Sequence, residues 1–229
     1  MRRNRGCLYL TVMPTGTDTN FSDGNSIYCK KHLISHSSGF KMTNWFTSDH
    51  HFGHAKIIQY CDRPFETVEQ MNEELVQNWN ALVGDNDTVY YLGDFSLKSS
   101  AMEEFAPRLK GRKVLIAGNH DGCHPSNHEG KLGNLALYRK YFDAVHEDLE
   151  WDGLHLHHMP YHDDVDHRYP EYRPIDAGLI LLHGHVHQRW TVNGRQINVG
   201  VDVWNYEPVH ESEIRKLVAQ IESQSVDCD

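Results

Sequence analysis

The sequence has no paired cysteines. Cys7, Cys29, Cys61, Cys123 and Cys228 are scattered, with no C-x-x-C among them, which argues against a cysteine zinc site. Their odd number and the 229-residue length also speak against a disulfide framework and for a reducing, cytoplasmic compartment. No stretch approaches the ~20 apolar residues that span a bilayer, so no membrane partner is expected. Positive charge is scarce as well. The formal net charge is -10 with histidine neutral, and no dense Lys/Arg cluster follows the first five residues. Non-specific nucleic-acid binding needs a basic face, and a long DNA substrate needs a basic track beside the site. Nucleic acid is therefore a disfavoured partner. There is no internal repeat.

The N-terminal stretch "MRRNRGCLYLTVMP" loosely imitates a signal peptide. Thr11 breaks its apolar run, Pro14 ends it, and no clear small-residue cleavage site follows. Residues 15–41 are polar and lack periodicity, so residues 1–41 are expected to be a loose, disordered extension. Patterning begins at Met42, which the reading takes as a plausible natural start. Residues 42–229 then form a single domain.

Within that domain helices first alternate with strands, and strands dominate later. "NWFTSD" (44–49), "DTVYYLGD" (87–94) and "KVLIAGNHD" (113–121) read as strands. A helix over 67–84 has Thr67 and Gln70 as its capping box, Met71, Leu75, Trp79 and Leu82 as its apolar stripe, and Gly84 at its end. A second helix, 100–111, is expected to start with a Ser100–Glu103 box. "KLGNLALYRKYF" (131–142) is also helical. "DAVHEDLEW", "GLHLHHMP", "GLILLHGH" and "QINVGVDVW" are four later strands, and 211–223 is a final amphipathic helix. This succession fits an α/β fold with two packed sheets flanked by helices better than a doubly wound sheet.

What the chain has in plenty is histidine, 18 in all. "LLHGHVHQRW" (181–190) carries His183, His185 and His187 at alternate positions, a spacing that on a strand puts the rings on one face. Ligand-type residues also follow other predicted strands: Asp49 with His50 and His51, then Asp94, then Asn119-His120-Asp121, then His158. Strand ends line the ligand crevice in open α/β architectures. The mixture of carboxylate, imidazole and amide suits Mn, Fe or Zn rather than Ca or Mg. The number of candidates suits a pair of ions.

The order D-x-H, G-D, G-N-H-D, H and G-H-x-H, in "SDHHFGH", "LGDF", "AGNHD", "HHMP" and "HGHVHQ", resembles the calcineurin-like metallophosphoesterase superfamily. "RPFETVEQMN", "NWN" and "NVGVDVWNYEPV" resemble its small phage and bacterial subgroup, over about residues 42–217. The resemblance implies two packed mixed sheets in a four-layer αββα sandwich and two divalent ions (Mn, Fe, Zn or Ni, with Mn the most active in vitro). It implies that Asp49, His51 and His187 hold the first ion, that Asn119, His158 and His185 hold the second, and that Asp94 bridges them. His120 would face the substrate and protonate the leaving oxygen, and Asp121 would orient His120. Asn119 and His120 would also contact the substrate.

Two further substrate-binding candidates remain open. His54 either reaches the site or caps the following helix. Arg63 either clamps a phosphate or holds its loop by an ion pair. His50 is expected to point away from the site and His183 to pack in the core. His155 and His157 are left unassigned, and His162 and His167 sit in a polar loop. The function so implied is a phosphodiesterase acting on small (cyclic) nucleotides. Alternatives are a phosphomonoesterase or nuclease of the same fold, a non-catalytic interaction module, or a structural metal protein. The aromatics of "DVWNYEPV" could serve a dimer interface.

Overall fold

Three short parallel strands carry the first half of the chain. In the computed structural model, which describes residues 42–127, 131–161 and 168–226, they are β1 (Asn44–Thr47), β2 (Thr88–Tyr91) and β3 (Arg112–Ile116). With β4 (Ala144–His146) and β10 (Val209–His210) they form a five-stranded sheet, order β10-β1-β2-β3-β4. Only the β10 edge is antiparallel. A second five-stranded sheet has the order β5-β6-β7-β9-β8. Its strands are β5 (Asp148–Trp151), β6 (Leu154–His157), β7 (Leu181–His183), β8 (Val192–Asn193) and β9 (Gln196–Asn198). There β6, β7 and β9 run parallel, and the two edge pairings are antiparallel. The fold is thus α/β with two mixed sheets.

The period-two alternation of the first sheet sorts its residues between two cores. Trp45, Val89, Tyr91 and Leu115 face the helices α1 (Ala55–Tyr60), α2 (Val68–Leu82) and α3 (Ser99–Phe105). Phe46, Tyr90, Leu92 and Ile116 face the other way, onto Leu154, Leu156, Leu182 and Ile197 of the second sheet. A parallel sheet covered on both faces needs such continuous apolar strands. Helix α4 (Lys131–Tyr138) adds Leu137 and Tyr138 to the helix-side core. Helix α5 (Glu211–Val226) packs Ile214, Leu217, Val218 and Ile221 against the inter-sheet core. No helix among the described residues is long and apolar enough to cross a membrane.

Several local expectations change. Thr67 does cap α2, its Oγ1 accepting the Gln70 N–H at 3.1 Å. The Gln70 side chain accepts from Glu66 rather than from Thr67. The helix ends at Val83 in an extended conformation, so Gly84 is not its left-handed stop, and Leu82 lies 39% exposed outside the stripe. Helix α3 begins one residue earlier than Ser100. Its cap is Lys98, which makes no side-chain cap bond, so the Ser100–Glu103 box does not form. "DAVHEDLEW" is not one strand: β4 joins the first sheet and β5 the second. The expectations for residues 1–41, His162 and His167 concern positions outside the described residues.

Candidate metal centre

The carboxyl ends of β1, β2 and β3 meet those of β6 and β7, and the candidate ligands stand just beyond them. The imidazole row does not sit on a strand. β7 stops at His183, and His185 (φ 71) and His187 (φ 50) lie in the left-handed region past it. Their alternation therefore comes from a tight turn, not from a pleat. Asp49 (φ 61), His51 (φ 52) and Asp94 (φ 61) share that conformation. It is uncommon away from glycine, and such residues cluster at binding and catalytic sites.

Two glycines make the close approach feasible. A Cβ at Gly118 would strike the Asp94 carboxylate, and one at Gly184 would strike Ser48 and the Asp49 carboxylate. The Asp49 Oδ2 accepts from Ser48 Oγ at 2.6 Å and from the His185 N–H at 2.9 Å. This joins the end of the first sheet to the turn of the second.

One donor atom each from Asp49, His51 and His187 fall within 4.8 Å of one another, and so do donors from Asp49, Asp94 and His158. The residue common to both groups is Asp49, where the resemblance implies Asp94. Asp94 nonetheless lies between the two groups. Its Oδ2 is 3.5 Å from His51 Nε2 and its Oδ1 is 3.4 Å from His158 Nε2. Asn119 Oδ1 reaches His158 Nε2 at 3.1 Å. The His185 ring centre is 5.3 Å from that of His158, although His185 is outside both donor groups.

The ring tautomers are set from behind. His158 Nδ1 bonds the Leu92 carbonyl at 2.7 Å, and His187 Nδ1 bonds Asp202 Oδ2 at 2.8 Å. Each bond turns Nε2 towards the cluster, the usual arrangement around a metal-binding histidine.

The electrostatics are those of buried acids facing buried imidazoles. Burial alone would raise Asp94, but His158, His51 and His120 outweigh it and hold its carboxyl well below the usual range. Burial would lower His158, but Asp94 and Asp49 raise it to about 9. Burial pushes the Asp49 carboxyl up against the pull of His187 and His158. It also drives His51 well below the ordinary imidazole range, with Asp94 opposing.

A fit to metal shows in atoms left without hydrogen-bond partners. Asp49 Oδ1 and both ring nitrogens of His51 are buried and unbonded. Such groups are rare because each costs about 1–3 kcal/mol. A cation at the shared space would satisfy the Asp49 oxygen and one His51 nitrogen together.

His120 projects into solvent with its side chain 41% exposed, and its Nε2 is 4.0 Å from Asp94 Oδ2. His54 precedes α1 but makes no side-chain cap bond. Its ring lies 5.6 Å from that of His51 and shares an open cleft with His51, His120 and His187, so it reaches the site. His50 turns into the core, bonds Tyr91 Oη at 2.8 Å and is lowered to about 3 by burial and then Arg63. His183 packs on Trp190. His155 and His157 lie outside the cluster, with His157 Nδ1 accepting the Met159 N–H at 2.9 Å.

One open alternative is decided, Arg63 in favour of the ion pair that holds its loop, and one assignment, Asp121, is corrected. Arg63 does not face substrate. It is buried, paired with Asp202 (Nε to Oδ1 2.7 Å) and donates to the carbonyls of Asp49 and His50 at 2.7 and 2.9 Å. A guanidinium so committed has no edge left for a phosphate. Asp121 does not orient His120. Its carboxylate accepts the backbone N–H groups of Asp94, Phe95 and Gly118 at 2.9–3.0 Å. Burial and then Asp94 raise it to about 7. It positions Asp94.

Asp202 escaped the sequence reading. Its signal was a lone acid inside the apolar "NVGVDVW", since an unpaired buried carboxylate is untenable. Cys61, grouped with His187 and Asp202, gave no signal at all.

No family model matches the chain. It is 37% identical over 185 residues to the uncharacterized protein MJ1445 of Methanocaldococcus jannaschii, covering 76% of this chain and 90% of that protein. It is 36% identical to the Gene 66 proteins of Mycobacterium phages D29 and L5, covering 96% of each and 78% and 79% of this chain. Among solved structures it is similar to the protein of unknown function AQ665 from Aquifex aeolicus. There the TM-score is 0.58 at 29% identity, over 77% of this chain and 99% of that one.

Proposed function

The chain belongs to the family of MJ1445 and the mycobacteriophage Gene 66 proteins, and we propose that it is a metal-dependent phosphoesterase of the calcineurin-like type. In this reading the two sheets and their helices are the four-layer sandwich of that superfamily. The observation that carries the proposal is the pair of buried donor groups sharing Asp49, with Asp94 between them and half-exposed His120 at their rim. Asp49, His51 and His187 would hold one divalent ion, and Asp94, Asn119, His158 and His185 would hold and bridge to a second. Mn, Fe, Zn and Ni all suit this mixed O/N set. When bound, such a pair supplies a water activated at neutral pH and positive charge against the phosphoryl oxygens.

The chain's own groups do the rest. Asn119 and His120 donate to the phosphoryl oxygens. His120, open to solvent and within 4.0 Å of Asp94, carries a proton to the leaving oxygen. Asp202 and the Leu92 carbonyl keep His187 and His158 turned inward. A small nucleotide diester, handled in the cytoplasm, is the preferred substrate. The acidic chain supports that choice, as do the free thiols Cys61 and Cys123.

The test is hydrolysis of bis(p-nitrophenyl) phosphate and p-nitrophenyl phosphate by metal-stripped protein with Mn²⁺ restored. The diester should be cleaved only with metal. Asp94→Asn and His120→Ala should each lower kcat by roughly 10²–10⁴-fold. Preference for the monoester would make it a phosphatase. Stoichiometric metal binding without turnover would refute the enzyme and leave a binding module.

A further inference from the structure

Among the described residues three donor groups have the spacing to hold an ion, and the phosphoesterase reading uses two of them. The third is Cys61 with His187 and Asp202, and it differs from the others in carrying sulfur. Cys61 is a free, buried thiol at the end of α1. With His187 it lines the cleft of about 350 Å³ that opens from the candidate centre, so an ion has a way in. One donor atom from each of the three residues lies within 4.8 Å of the others. Zinc takes sulfur at about 2.3 Å and nitrogen at about 2.0 Å, which sets tetrahedral neighbours roughly 3.5 Å apart. The three donors are already near ligand spacing.

The Arg63 pair does not close this group. A carboxylate accepts at about four positions. Arg63 fills one on each Asp202 oxygen, Nε to Oδ1 at 2.7 Å and Nη2 to Oδ2 at 3.0 Å, and His187 Nδ1 takes a second on Oδ2 at 2.8 Å. An ion replaces the proton of that last bond and leaves both guanidinium bonds in place. The thiol and Nδ1 each lose a proton to water as the ion binds. The thiolate and the Asp202 carboxylate then neutralise the two charges of the ion, as a buried site requires.

Softness decides which ion enters. Thiolate selects zinc-like ions, and manganese suits carboxylate and other oxygen ligands. The two groups used by the centre contain carboxylate and imidazole only. One imidazole belongs to both places. With an ion on Nδ1, the His187 ring carries its proton on Nε2, the nitrogen turned towards the centre, and has no lone pair left for the first ion.

We propose that Cys61, His187 and Asp202 form a separate site for a thiophilic divalent ion of the zinc class, and that an ion there excludes the first ion of the centre. The site stands on its own geometry, and its effect on turnover rests on the phosphoesterase reading.

The experiment titrates metal-stripped protein with Cd²⁺ and follows the ultraviolet band of the cadmium–thiolate bond. The first equivalent should develop the band in wild type and in Cys123→Ser, and Cys61→Ser should lose it. No band in wild type, or one that survives unchanged in Cys61→Ser, overturns the site. Should the serine variant not fold, scalar coupling between an NMR-active cadmium isotope and the Cys61 protons of wild type decides instead, and its absence refutes the site.

Exclusion is read as Mn²⁺ released from Mn²⁺-loaded protein, followed by electron paramagnetic resonance. Zn²⁺ should release Mn²⁺ from wild type at a concentration about ten-fold lower than from Cys61→Ser. Equal release from both overturns the exclusion. Turnover of bis(p-nitrophenyl) phosphate should fall in step with the Mn²⁺ released. If Mn²⁺-loaded protein gives no turnover at all, the phosphoesterase reading fails, and the cadmium band and manganese release still decide the site.

Discussion

Asp121 shows how a motif's residue order can suggest a role that the side chain does not take. Its neighbour His120 faces the cleft, and adjacency in "GNHD" invites the idea of a carboxylate orienting an imidazole. The side chain turns the other way and gathers three backbone N–H groups from the ends of β2 and β3. Two of those belong to Asp94 and Phe95, so Asp121 fixes the left-handed turn that aims Asp94. Asp121→Ala strands those donors in the interior. It is expected to destabilise the fold by about 3–5 kcal/mol and to weaken Mn²⁺ binding roughly 10–100-fold. Asp121→Asn, which keeps an acceptor oxygen, should recover about half of the stability. Urea unfolding and metal titration read both. Lost activity with unchanged stability and metal affinity would instead restore the His120-orienting role.

At the scale of elements, the loop after β1 depends on an ion pair rather than on local propensity. Arg63 reaches back from beyond α1 to the carbonyls of Asp49 and His50 while holding Asp202. Asp202 in turn holds His187. Three points beside the centre, the Asp49 and His50 carbonyls and the His187 ring, are tied to one buried pair. Arg63→Met should cost about 3–5 kcal/mol, because it leaves the buried Asp202 carboxylate without its guanidinium and held by His187 alone. Adding Asp202→Leu should return part of that loss, and a double-mutant cycle measures the coupling. Additive single losses would show that the pair is not the tie.

The sequence let most elements be read. Helix α2 has a capped, striped pattern, and β1 to β3 have apolar runs ending in acids. What it hid depends on distant partners. "DAVHEDLEW" alternates uniformly, yet the chain leaves one sheet and enters the other at Glu147, and strand pairing follows tertiary context. The row at His183, His185 and His187 reads as a strand because its spacing is two. It ends as a turn because Gly184 must pass against Ser48 and Asp49. The order of ligand-type residues was visible. The sharing of Asp49 and the roles of Asp202 and Arg63 needed the fold.

At the scale of the whole molecule, the candidate centre sits where two independently paired sheets meet. Asp49, His51, Asp94 and Asn119 follow strands of the first sheet, and His158, His185 and His187 follow strands of the second. The apolar inter-sheet core holds the sheets together, but at this edge acids and imidazoles face one another and some buried atoms have no partner. A cation bound there acts as a cross-link between sheets that exists only in the folded chain. By linkage it stabilises the fold by about 2.7 kcal/mol at a hundred times its Kd, which is roughly 5–10 °C in Tm for a domain of this size. Saturating Mn²⁺ should raise the Tm of metal-stripped protein by that amount, and chelator should reverse it. His158→Ala removes the second sheet's strongest contact with Asp94. It should abolish most of the rise even if the variant folds normally without metal. A Tm indifferent to Mn²⁺, Zn²⁺ and Ni²⁺ would mean that these residues meet for a structural reason, with the His158–Asp94 ion pair as the joint itself.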